Sequence, residues 1–132
     1  MTGGCLCGAV RYRADGPATH PTLCHCTTCR RAAGAPVVAW VTFPRAAFAF
    51  EGAAPGRHAS SPHVERTFCR TCGSPLTYTH ARFPGEIDVT TASLDAPESF
   101  APSDHTWTSE ALPWLRCEDG LPRFPRSRFE GR

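Results

Sequence analysis

The chain has 132 residues, 41% of them hydrophobic and 20% charged, which fits one compact globular unit and excludes wholesale disorder. Its longest apolar run, Ala35 to Val41, is far short of the roughly 20 residues that span a bilayer, so no membrane partner is expected. The formal net charge of +2 is spread along the sequence, which disfavours a nucleic-acid binder held by electrostatics.

Eleven Gly and thirteen Pro predict a mainly β fold, a small single domain over 1–132 with short strands and many loops. All fourteen basic residues are Arg. The opening Met-Thr-Gly-Gly-Cys has neither a basic n-region nor an apolar h-region, so no secretory signal and a reducing, cytoplasmic compartment are expected.

In chain order, Cys5-Leu6-Cys7-Gly8 comes first, and residues 9 to 14 then alternate as a strand with Val10 and Tyr12 inward. Cys24-His25-Cys26-Thr27-Thr28-Cys29 follows, and Arg30 to Ala33 predicts one or two helical turns ended by Gly34. The nearly continuous apolar run Pro36 to Phe43 predicts the most buried strand, stopped by Pro44. Phe48 to Phe50 is a short strand, and the stretch from Gly52 to Pro62, rich in Gly, Pro, Ala and Ser, is expected to be a loop. Val64 to Cys69 and Leu76 to His80 predict a hairpin around Cys69-Arg70-Thr71-Cys72-Gly73, and Glu86 to Thr91 a further strand. Beyond Ala92 the Pro-rich chain predicts an irregular cover. Its tail, Arg123 to Arg132, interleaves Arg with Phe and is expected to fray or dock on the surface; stacking on nucleic-acid bases is the weaker alternative.

Eight cysteines allow 105 disulfide pairings, but a reducing compartment and tight clustering favour soft-metal ligation, with zinc as the default ion. Cys5, Cys7, Cys69 and Cys72 make one closed four-thiolate site. The Gly after each pair can take positive φ and let backbone N–H groups approach the sulfurs. Such a site clamps the N-terminal segment to a distant hairpin and serves stability. In an extended stretch Cys24 and Cys26 point to one face and His25 to the other. With Cys29 they supply three thiolates and an open fourth position, the arrangement of a catalytic zinc. His25 is expected to be a neighbour of the ligands or a surface residue. Cys117 is either a packing residue or a fourth thiolate that closes this second site. Trp40, Trp107 and Trp114 are core or pocket wall.

Three linked motifs, Gly3-x-Cys-x-Cys-Gly-x-Val-x-Tyr, Cys-His-Cys-x-x-Cys-Arg-Arg-x-x-Gly-Ala and Phe68-Cys-x-x-Cys-Gly-Ser-Pro-Leu, resemble the glutathione-dependent formaldehyde-activating enzyme family, which includes the centromere protein V type. Pro113-Trp114 and Asp119-Gly120-Leu121-Pro122 extend the resemblance, which runs from about residue 3 to 124. It implies a zinc-stapled fold of the β-tent type with two zinc ions per chain. On it, Cys5, Cys7, Cys69 and Cys72 match structural ligands, and Cys24, Cys26 and Cys29 match those of the catalytic zinc. The implied activity is that of a carbon–sulfur lyase or synthase acting on aldehyde adducts of glutathione or a similar thiol, such as S-hydroxymethylglutathione. Arg30 and Arg31, directly after Cys29, are candidates to hold a glutathione carboxylate. The competing readings are a non-catalytic zinc module and a carrier of thiol adducts.

Overall fold

Ten strands among residues 1–129, the part of the chain that the computed structural model describes, build two sheets. In the smaller sheet β2 (Val10–Ala14) lies between β1 (Thr2–Gly4) and β5 (Phe48–Gly52), antiparallel to both. Alternation along β2 buries Val10, Tyr12 and Ala14 and leaves Arg13 in solvent, as expected for a strand with one covered face.

The larger sheet contains β3 (Thr19–Cys24), β4 (Val38–Pro44), β6 (Gly56–Ser61), β7 (Val64–Phe68), β8 (Pro75–His80), β9 (Glu86–Thr90) and β10 (Asp104–Thr106). Its order is β10-β3-β4-β9-β8-β7-β6, antiparallel except for the β10–β3 pair. The main core lies between the sheets. Val10, Tyr12 and Ala14 pack with Val41, Phe43, Leu76, Ile87 and Val89, and each large aliphatic side chain buried there contributes about 1.5–3 kcal/mol.

Strand β4 explains its own sequence. Val41 and Phe43 face this core, while Trp40 and Thr42, on the opposite face, line a cavity. A strand covered on both sides needs a nearly continuous apolar run. The turns and short helices beside the sheets complete the frame. The single α-helix among the described residues, α1 (Thr27–Ala33), begins three residues earlier than the sequence suggests and ends at a left-handed Gly34. No helix among the described residues is long and apolar enough to cross a membrane.

Four strands depart from the sequence expectation, the first being β1, three residues paired along the edge of β2. The stretch expected to be a loop between Gly52 and Pro62 contains β6, an edge strand paired with β7. Most of β6 is exposed, so it needs no apolar alternation, and pairing with β7 supplies its order. Strand β3 is interrupted by a register shift between Thr19 and Thr22, with His20 at φ 51, which erases any period-two pattern. In the cover beyond Ala92, Leu94 joins the core and Phe100 packs edge-on against Phe43, but Asp104–Thr106 adds β10 parallel to β3. The C-terminal segment docks by backbone hydrogen bonds from Phe124 to His105 and from His105 to Pro122. Residues 130–132 of the tail lie outside the described residues.

Candidate metal centres and the cavity beside them

The first thiol group joins the loop after β1 to the turn between β7 and β8. The sulfurs of Cys5, Cys7, Cys69 and Cys72 all lie within 4.8 Å of one another. Cys5 Sγ is 3.6 Å from Cys7 Sγ, which is 3.8 Å from Cys69 Sγ. Four sulfurs held tetrahedrally at about 2.3 Å from zinc stand roughly 3.8 Å apart, so the donor set fits such an ion. Backbone N–H groups converge on the sulfurs: Val10 donates to Cys5 at 3.3 Å, and Thr71 and Cys72 donate to Cys69 at 3.3 and 3.4 Å. Gly8 and Gly73 turn the chain at φ 81 and φ 80, a conformation that costs a β-carbon-bearing residue free energy. The Ser74 hydroxyl, with backbone donors, draws the Cys72 thiol down to about 5.

The second group is assembled by a strand-to-helix junction. Cys24 is the last residue of β3, Cys26 is the N-cap of α1, and Cys29 lies in its first turn. The Cys26 sulfur accepts from the Cys29 N–H at 3.3 Å, a thiol in the place usually taken by Ser or Asp. The three sulfurs lie within 4.8 Å of one another, and no fourth Cys, His or carboxylate joins them among the described residues. Their contacts set protonation against itself. Hydrogen bonds from Cys24 and Cys26 pull Cys29 well below the ordinary thiol value, while Cys26 and Cys29 push Cys24 far above it. A soft divalent ion removes that conflict by replacing the shared protons. Both groups can therefore hold a metal ion.

His25 takes the other side of the junction, as alternation predicts. It is 1% exposed, its Nε2 lies 2.8 Å from His105 Nδ1, and His105 Nε2 lies 2.8 Å from Asp119 Oδ2. This chain of three side chains ties the Cys24–Cys26 segment to β10 and to the loop containing Asp119. Burial lowers the His25 pKa and keeps the ring neutral.

A cavity of about 840 Å³ opens beside the three thiols, which line it. Trp40, Tyr78 and Trp107 form aromatic walls; Trp114, by contrast, is 69% exposed. Arg66 reaches the cavity from β7. Its guanidinium lies 5.1 Å from the centre of the Tyr78 ring and 6.0 Å from that of Trp40. Its Nε donates to Ser60 Oγ at 3.1 Å, and one terminal nitrogen is 3.6 Å from Cys29 Sγ. Arg128, 9% exposed and bonded to Asp104 at 2.9 Å, lines the same space. Arg30 and Arg31 do not: Arg30 folds back to Thr27 Oγ1 at 3.1 Å, and Arg31 is exposed. Arg66 and Arg128 escape a reading based on adjacency: strand pairing brings Arg66 to Cys29 from 37 positions along the chain, and Arg128 reaches the cavity on the C-terminal segment.

Cys117 is half-buried and joins neither thiol group. Cys117→Ala is therefore expected to retain the metal content of the natural chain and to melt within a few degrees of it. Metal analysis of the purified variant alongside a thermal scan checks this, and loss of one ion would place Cys117 among the ligands.

A small mainly β domain, stapled by one four-thiol group and carrying a three-thiol group in a cavity, is thus the class of protein that fold and site define. The chain belongs to the glutathione-dependent formaldehyde-activating enzyme family, whose profile matches residues 1–110. A Schizosaccharomyces pombe protein named as an uncharacterized lyase is 34% identical over 89 residues, 66% of this chain. The match spans 64% of that relative's own length. A crystal structure of a Rhodobacter sphaeroides protein, 23% identical, superposes with a TM-score of 0.60 over 94% of this chain and 99% of that one. That last likeness concerns the fold alone.

Proposed function

We propose that the protein is a zinc-dependent carbon–sulfur lyase or synthase that makes or breaks aldehyde adducts of glutathione or a similar thiol, S-hydroxymethylglutathione among them. The observation that carries this reading is the inequality of the two thiol groups. One has four sulfurs, while the other has three and borders a cavity large enough for a small peptide-like ligand. In this reading Cys5, Cys7, Cys69 and Cys72 hold a structural zinc, and Cys24, Cys26 and Cys29 hold a catalytic one. Zinc at the latter would lower the pKa of a ligating thiol and polarise a carbonyl oxygen.

The protein's own residues supply the rest. Trp40, Tyr78 and Trp107 exclude water from the reacting group and offer apolar contact to the adduct's carbon skeleton. Arg66, fixed by Ser60 and by two aromatic faces, presents a cation to a carboxylate or to oxygen that gains charge. It takes the role that adjacency suggests for Arg30 and Arg31. Tyr78, pushed up to about 12 by burial, stays protonated and keeps an O–H that can donate to the adduct. The thiol chemistry requires a reducing compartment, in keeping with a cytoplasmic location.

Cobalt substitution tests the reading, because its d–d and sulfur charge-transfer bands report on the coordination shell. Glutathione is expected to change those bands and S-methylglutathione to leave them nearly unchanged. Arg66→Met is expected to weaken glutathione binding by roughly 1–3 kcal/mol, whereas Arg31→Ala leaves it unaltered. Bands that stay fixed at saturating glutathione, with both ions present, would turn the assignment toward a non-catalytic zinc module.

A further inference from the structure

One row of side chains crosses the cavity face of the larger sheet. Arg66 on β7 stands opposite Tyr78 on β8, Tyr78 opposite Asp88 on β9, and Asp88 opposite Thr42 on β4. All four line the cavity that also holds Cys24, Cys26 and Cys29. Asp88 is the acid in the middle of this row. Thr42 Oγ1 donates to its Oδ1 at 2.6 Å, and no donor among the described residues reaches its other oxygen. A carboxylate set in the cavity floor among Arg66, Tyr78 and Thr42, anchored through one oxygen with the other left for a ligand, is arranged to exchange a proton.

We propose that Asp88 is a catalytic residue, the group that takes the proton from, and returns it to, the hydroxyl of the thiol–aldehyde adduct. The assignment rests on the carbon–sulfur chemistry proposed above. In breakdown, the Asp88 carboxylate takes the proton of the S–C–OH hydroxyl. The oxygen's electron pair then completes the C=O bond, and the C–S bonding pair departs on sulfur as thiolate. In formation the thiolate attacks the carbonyl carbon, and the Asp88 carboxyl gives the proton to the new hydroxyl oxygen. Atoms and charge balance in both directions without a further reactant.

The surroundings suit this task. Burial raises the Asp88 pKa to about 6, against the hydrogen bond from Thr42, which lowers it. Glu86 on the same strand and Cys29 on α1 raise it further, and Arg128 on the C-terminal segment lowers it. Tyr78 and Arg66 face the same row from β8 and β7. A carboxyl tuned near 6 is divided between its two forms close to neutrality, as a group that must both accept and donate needs. The tuning has a thermodynamic signature. A folded pKa above the unfolded one means that the native state loses stability as pH rises from about 4 through about 6.

The test is exchange between S-hydroxymethylglutathione and ¹³C-formaldehyde, followed by NMR against the uncatalysed reaction. Asp88→Asn is expected to lower catalysed exchange at least 100-fold with both metals retained, and Asp88→Glu to recover part of the loss. Adduct breakdown by the natural chain should fall off below pH about 6, and Asp88→Asn should lack that acidic limb. Thr42→Val, which removes the bond that lowers the pKa, should move the limb to higher pH. Independently of activity, Asp88→Asn should melt above the natural chain at pH 7.5, with the gain fading toward pH 4. Wild-type rates in Asp88→Asn, or a limb that Thr42→Val leaves in place, overturn the role of Asp88 while leaving the carbon–sulfur reading intact. A natural chain that exchanges no faster than solution overturns both. If Asp88→Asn fails to fold, the Thr42→Val limb and the Asp88→Glu rate decide.

Discussion

Cys69→Ser is expected to abolish cooperative folding, whereas Cys26→Ser keeps a melting transition and loses one metal ion. Cys69 is 1% exposed and packs within the main core, where its sulfur also accepts two backbone N–H bonds. Its thiol group joins segments 62 positions apart, between Cys7 and Cys69. Zinc bound by such a set contributes on the order of 10 kcal/mol to folding at neutral pH, as much as the whole net stability of a typical domain, about 5–15 kcal/mol. Cys26 sits elsewhere, half-buried at the start of a seven-residue helix. Its replacement removes a ligand but leaves the hydroxyl of Ser, a good N-cap, in place of the sulfur. Circular-dichroism melts with zinc content measured on the same samples separate the two cases. Equal loss of fold in both variants would mean that both ions are structural.

The cysteine pairs and the Cys24–Cys29 trio were legible because their spacing is local: one- and two-residue gaps place sulfurs together whatever the rest of the chain does, and two pairs make a four-thiol set even across 62 positions. The same holds for β2, whose alternation needs only one covered face, and for β4, whose unbroken apolar run reports cover on both. What alternation cannot report is which polar face is covered. In Ile87-Asp88-Val89 the central residue reads as solvent-facing, and so it would be on an open sheet. The surface opposite the core instead forms the floor of a cavity flanked by α1 and the C-terminal segment, so Asp88 is largely withdrawn from water while still polar. Arg66 escaped for a related reason. It lies on the side of β7 shared with Val64, and only the register with Tyr78 shows what that side meets. The contacts from His25 through His105 to Asp119 depend on pairing across 80 and 14 positions, which no local pattern encodes.

Gly3→Ala should destabilise the domain by roughly 2–4 kcal/mol, although alanine in place of glycine in a strand ordinarily stabilises. Gly3 stands directly opposite Tyr12 in the β1–β2 pair. A β-carbon on Gly3 would lie 2.3 Å from the Tyr12 hydroxyl oxygen, 2.4 Å from Tyr12 Cζ and 2.6 Å from the carbonyl oxygen of Ser93. The Tyr12 ring has little freedom to yield. It is 0% exposed, stacks on Phe48 with centroids 5.4 Å apart, and bonds to Ser93 Oγ at 2.7 Å. Overpacking of this kind costs about 1–3 kcal/mol, and displacing the hydroxyl forfeits a hydrogen bond worth about 1 kcal/mol more. Gly3 also lies two residues before Cys5, whose sulfur is grouped with those of Cys7, Cys69 and Cys72. A chemical-denaturation series on Gly3→Ala, Tyr12→Leu and the double variant measures the effect. The smaller side chain should make room for the new methyl, so the double variant should lose less than the sum of the two single losses. Strict additivity, or a Gly3→Ala loss below about 0.5 kcal/mol, would show that the Tyr12 ring does not close over Gly3.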